Sequence, residues 1–177
     1  MGEGVASGEM RGEGSGATGV AAAAWSLGGV CLLFSGAVFR LGRRGVETVR
    51  AGLDPEEWAA LLLLVLVFVV GEGWGALQRK WVPRLVRRAS WLRHGGSPVH
   101  RALAPLYGMS LIGAPPAALL RAWGGTAAIV AAVLVVRKFP EPWRGIVDLA
   151  VAAALLWGLG AIAVAGRRSL GSRGRRT

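Results

Sequence analysis

Residues 19–39 read GVAAAAWSLGGVCLLFSGAVF, 21 positions without a charge. About 20 apolar residues suffice to cross the hydrocarbon core of a bilayer as a helix. A soluble helix of that length would carry a polar stripe, and this block has none. It therefore reads as a membrane span. Working outward, the pattern recurs at about 58–77, where residues 61–70 are LLLLVLVFVV, and again at about 117–137 and 145–166. The expected fold class is all-α, an integral membrane bundle of about four transmembrane helices plus one short re-entrant or interfacial helix.

That extra helix comes from Leu103 to Val136, a stretch broken only by Pro115-Pro116 and Arg121. One straight helix of this length would overshoot the bilayer, and each proline pushes its predecessor out of the helical region. The reading is a re-entrant or interfacial helix over 103–114, with Pro116 near the start of span three. Asp54-Pro55-Glu56-Glu57 reads as the start of the second helix: an N-cap carboxylate, proline at the first helical position and acids in the first turn. Small residues at Gly124, Ala128 and Ala132 and at Ala150, Ala154 and Gly158 form close-contact seams. They predict a tight antiparallel pair of spans three and four.

The flanks are polar. Residues 1–18 are rich in Gly, Glu and Ser, with too little apolar surface to offset ordering entropy, so a disordered tail is expected. It does not read as a signal peptide, because Glu3, Glu9 and Glu13 outnumber Arg11 and the apolar block behind it is long. Residues 78–101 hold seven Lys or Arg and no acid. Within them Pro83 to Arg93 can form an amphipathic helix, with Leu85, Ala89 and Leu92 on one side and Arg84, Arg87 and Arg88 towards the other. Such a helix would lie among anionic headgroups, ended by the turn His94-Gly95-Gly96-Ser97-Pro98. Residues 167–177 form a basic tail with five arginines.

The net charge of +11 would point to nucleic acid in a soluble chain. Here the charges flank apolar blocks, as retention of basic loops in the cytoplasm requires, so nucleic acid is not an expected partner. Four spans with both termini cytoplasmic place 14 Lys and Arg inside and 7 outside, whereas five spans give 11 and 10. The basic bias selects four. Trp58, Trp74, Trp81, Trp123 and Trp143 fall near the expected interfaces, as an aromatic belt would.

Few residues could carry chemistry. Glu72, between Gly71 and Gly73, is expected about one and a half turns inside the cytoplasmic boundary. It reads either as a proton or cation site or as a carboxylate paired with Arg79. Asp148, just inside span four on the outer side, is expected to cap the helix or to pair with Arg144 one turn away. Arg121 reads as a snorkelling anchor. His94 and His100 lack accompanying carboxylates or cysteines for a metal, and Cys31 is the only cysteine, so no thiolate cluster or intrachain disulfide can form. Gly71, Gly73 and Gly75 follow no strand, which removes a phosphate-loop reading. No catalytic residue, metal or cofactor is expected.

Three segments carry a resemblance together: 72–80 (EGWGALQRK), 104–109 (APLYGM) and 139–148 (FPEPWRGIVD). They resemble a group of small bacterial multi-pass inner-membrane proteins to which no activity is assigned. The resemblance spans roughly residues 58 to 165 and implies location and topology only. The expectation is a non-enzymatic partner or scaffold protein in the bilayer, touching anionic phospholipid headgroups and a membrane-protein partner or second copy. The alternative is a small transporter or channel subunit that uses Glu72.

Overall fold

The structure is a computed structural model that describes residues 6–91 and 98–171. Among these residues it is all helix and turn, with no strand. Four of its helices are long and apolar enough to cross a membrane, the build of a multi-pass membrane protein.

The first helix, α1, runs Ala6–Ala51. It exceeds the expected span at both ends. It takes in most of the stretch expected to be an unstructured tail, because extending a helix costs far less than nucleating one. It also continues through Arg40, Arg43 and Arg44, past the end of the span expected at 19–39. Arg and Glu are good helix formers, and the Arg43 Nε donates to Glu47 Oε1 at 2.9 Å one turn on. Gly52, at φ +99°, ends the helix in the left-handed region where a glycine carries no Cβ penalty.

Asp54 then stands in extended conformation ahead of α2, Pro55–Phe68. Its N–H donates to Glu57 Oε2 at 2.9 Å, the reciprocal contact expected of this start signal. The chain continues without a break into a π-helical segment, Val69–Trp81, and then α3, Val82–Trp91. The expected end of span two near Leu77 does not exist. Gly71, Gly73 and Gly75 all lie in the π-helical part, where they remove side chains from the widened turn.

The apolar side of α3 is not laid into headgroups. Val82, Leu85 and Ala89 are buried with Leu27 and Val30 of α1 and Ile162, and Phe34 stacks on Trp81 with ring centroids 5.5 Å apart. The protein itself covers the face that composition assigns to lipid.

The expected helix over 103–114 is reduced to α5, Ala104–Gly108, preceded by α4, Pro98–Ala102, and followed by turns. Ser110 and Gly113 there adopt positive φ. At 1.5 Å per residue such pieces cannot cross a bilayer. They lie against α1, where Ser26 Oγ donates to the Ala104 carbonyl at 2.8 Å and Trp25 Nε1 to the Ala102 carbonyl at 3.2 Å.

Helix α6, Pro116–Val136, starts at Pro116 as expected, yet none of its residues is buried. The last helix, α7, runs Trp143–Gly171. The expected pairing of spans three and four is absent; α7 packs chiefly on α1, and next on the π-helical segment and α2. Its small residues are used, but against other partners. Ala150 and Ala154 are buried, Gly45 of α1 abuts Leu149, and Gly158 abuts Leu77. In lipid, where apolar surface gives no drive to associate, close backbone approach supplies the van der Waals contact. Helices α1 and α7 are antiparallel, with Thr48 against Gly145, Gly42 against Ala152 and Leu27 against Gly166. The start of α1, helix α3 and the end of α7 thus gather at one end of the bundle.

Candidate functional site

Helix α7 is a ruler for depth, because both α1 and the π-helical segment pack along it. Gly73 sits on Trp157 and the Ala154 carbonyl; an added Cβ would lie 3.2 Å from Trp157 Cβ. Ala154 is nine residues, about 14 Å at 1.5 Å per residue, from Gly145 at one end of the apolar run. It is about 18 Å from Gly166 at the other. Glu72 is therefore level with the middle of the apolar run of α7. Its neighbour Gly73 faces α7, and Glu72 is exposed on the outside of the helix.

Glu72 does not pair with Arg79. The i→i+5 bonding of the segment widens each turn, so residues seven apart no longer stack as they do at 3.6 per turn. Arg79 instead lies over the Trp74 ring, 5.0 Å from its centroid. On the α7 side Trp157 Nε1 donates to Gln78 Oε1 at 2.7 Å, which fastens the segment to α7.

Asp148 is buried, at 6% exposure, and its partner is Arg44 rather than Arg144. Arg44 Nη1 donates to Asp148 Oδ2 at 3.1 Å. The expected one-turn neighbour loses because the α1–α7 crossing at Gly45 and Gly145 brings Arg44 close, while the Arg144 Nε is buried without an acceptor. Nothing in the sequence signals this pair, whose members are 104 positions apart.

The basic segment divides. Arg84 and Arg87 are exposed, as expected, and Arg84 Nε donates to the Lys80 carbonyl at 2.7 Å. Arg88 turns inward instead. It donates to the carbonyls of Tyr107, Ile112 and Gly113 at 2.7, 3.2 and 3.0 Å, and its guanidinium lies 4.1 Å from the Tyr107 ring centroid. Five donors in a rigid fork suit carbonyls left free by an irregular turn. Arg88 is a clamp on the segment after α5, a role its place in a basic run conceals.

Arg121 is exposed, one turn into α6, with Nε donating to the Ala117 carbonyl at 2.9 Å. The four candidate residues Glu72, Arg79, Arg121 and Asp148 are not gathered into one site. Among the described residues no three His, Cys, Asp or Glu side chains come together as metal ligands. His94 and the end of the basic tail lie outside those residues, as does the His100 side chain. The concave surface around Phe39, Arg40, Arg43, Arg44 and Glu47 is an open groove on α1. Compared with known proteins, the chain matches no family model, no curated protein and no solved structure.

Proposed function

We propose that the protein is a non-enzymatic scaffold or partner protein of a bacterial inner membrane, with both termini cytoplasmic and its basic end on anionic headgroups. One observation carries the reading. Arg84 and Arg87 are exposed on α3 while Val82, Leu85 and Ala89 of the same helix are buried in the bundle. Packing thus holds two guanidinium groups at the bundle end that also carries Arg79 and Lys80. Clusters of this kind attract anionic lipid at about 1 kcal/mol per Lys or Arg near the surface. The same basic end is the one that the positive-inside rule retains in the cytoplasm.

Thermal unfolding in nanodiscs of neutral lipid with and without phosphatidylglycerol tests the contact. Anionic lipid is expected to raise the wild-type Tm, and Arg84→Gln with Arg87→Gln to remove most of that rise. Equal Tm values in both lipids would reject the headgroup role. Orientation is tested by labelling Ser97→Cys and Glu141→Cys in a Cys31→Ser background. Ser97→Cys should react from the cytoplasmic side and Glu141→Cys from the opposite one.

The position of Glu72, level with the middle of the apolar run of α7, favours a second reading, a small transporter or channel subunit. Because Glu72 faces outward, its pathway would run between chains. Proton-linked flux in vesicles that is equal for wild type and Glu72→Gln, at the level of empty vesicles, would remove it.

A further inference from the structure

Two opposite charges lie at one depth on helices that flank α7. Gly42 rests against Ala152 and Gly45 against Leu149, so the antiparallel register puts Arg40 level with Ala154. Gly73 rests against Ala154 and Trp157, so Glu72 is level with Ala154 too. Arg40 and Glu72 are both exposed, and neither has a hydrogen-bond or ion-pair partner among the described residues. Their neighbours in the charged stretch of α1 are satisfied, Arg43 by Glu47 and Arg44 by Asp148. Within one chain α7 lies between their helices at this level, and the contact of α1 with the π-helical segment is the Phe34–Trp81 stack, well away from Arg40 and Glu72.

An ionisable group within the apolar depth of a bilayer is costly and is found paired or facing an interior. We propose that a second copy of this chain covers this face, with Arg40 of each copy on Glu72 of the other. A twofold axis along the membrane normal keeps every residue at its own depth, so an isologous dimer can join only groups that already share a level. Arg40 and Glu72 meet that condition, and each copy carries both halves, so the interface forms two ion pairs and closes at two chains. The phenyl ring of Phe39, 73% exposed beside Arg40, supplies apolar contact next to the charge. The inference deepens the scaffold reading and rests on its membrane placement. The lipid-composition test above reads headgroup contact and is independent of how many chains associate.

Single-molecule photobleaching of labelled full-length protein at low density in lipid bilayers tests the proposal. Wild type is expected to bleach in two steps. Arg40→Glu alone and Glu72→Arg alone place like charges opposite each other, and each should weaken self-association about tenfold or more. Mixed in two colours, the two single variants should co-localise, since both contacts between unlike copies then join charges of opposite sign. The double variant R40E/E72R should again dimerise. Milder variants, Arg40→Gln and Glu72→Gln, should each weaken the dimer while circular dichroism shows unchanged helix content, which covers the case of a charge reversal that fails to insert. One-step bleaching of wild type, assemblies larger than two, or a mixture that associates no better than each variant alone would overturn it.

Discussion

Removing either partner of the Arg44–Asp148 pair should have unequal consequences. The Asp148 side chain is 9% exposed and that of Arg44 41%, with 3.1 Å between Nη1 and Oδ2. Arg44→Ala leaves a buried carboxylate with no counter-charge. Breaking a fully buried pair in this way costs about 3–5 kcal/mol, and partial access of water around Arg44 lowers that to about 2–3 kcal/mol. Asp148→Ala instead leaves a guanidinium that already reaches solvent or headgroups, at about 1 kcal/mol. The double variant should cost about 1–2 kcal/mol, less than Arg44→Ala alone, because no orphaned charge is left behind. A double-mutant cycle measured by reversible unfolding in mixed micelles reads these differences directly. The reasoning is refuted if the two single losses add to the double, or if Asp148→Ala proves costlier than Arg44→Ala.

The helix packing gives a second pair of outcomes. Gly45→Ala puts a Cβ 2.5 Å from Leu149 Cβ and 3.0 Å from its Cα, so unfolding should show a loss of about 1–3 kcal/mol from overpacking. Gly124→Ala on α6 meets nothing within 4 Å, and the same measurement should show no loss, with up to about 1 kcal/mol gained from helix propensity. Arg88→Lys should leave the bundle assembled yet loosen the segment after α5. A lysine cannot span three carbonyls as a planar fork does, and hydrogen exchange at 105–113 should rise while that of α7 stays unchanged.

The legible part of the fold followed from composition and local chemistry. An uncharged block of bilayer length identifies a span wherever it occurs, and Pro55 with Asp54 and Glu57 marks a helix start through contacts only three residues apart. Pro116 does the same for α6. The helix ends were less legible. Charges at Arg40 to Arg44 and at Gln78 to Lys80 mark the edge of apolar sequence, but a helix ends where its backbone is interrupted, and Gly52 does that for α1. Partners were not legible at all. The seam at Ala150, Ala154 and Gly158 shows that α7 can approach another helix closely, and many helices offer a matching surface. The choice of α1 over α6 follows from the whole set of crossings at Gly42, Gly45, Gly145 and Gly166.

The same division holds for the candidate residues. By itself the sequence determined that this is an α-helical membrane chain of four long apolar segments, with a basic stretch behind the second and a carboxylate, Glu72, inside it. Those properties depend on residue type and on the thickness of a bilayer, which need no tertiary information. Only the tertiary structure decided that Asp148 answers Arg44, that Arg88 clamps the turns after α5, and that Glu72 and Arg40 share one depth. Each is a relation between residues far apart in the chain. Such relations are set by how helices cross, and the crossings depend on which small side chains let two backbones approach.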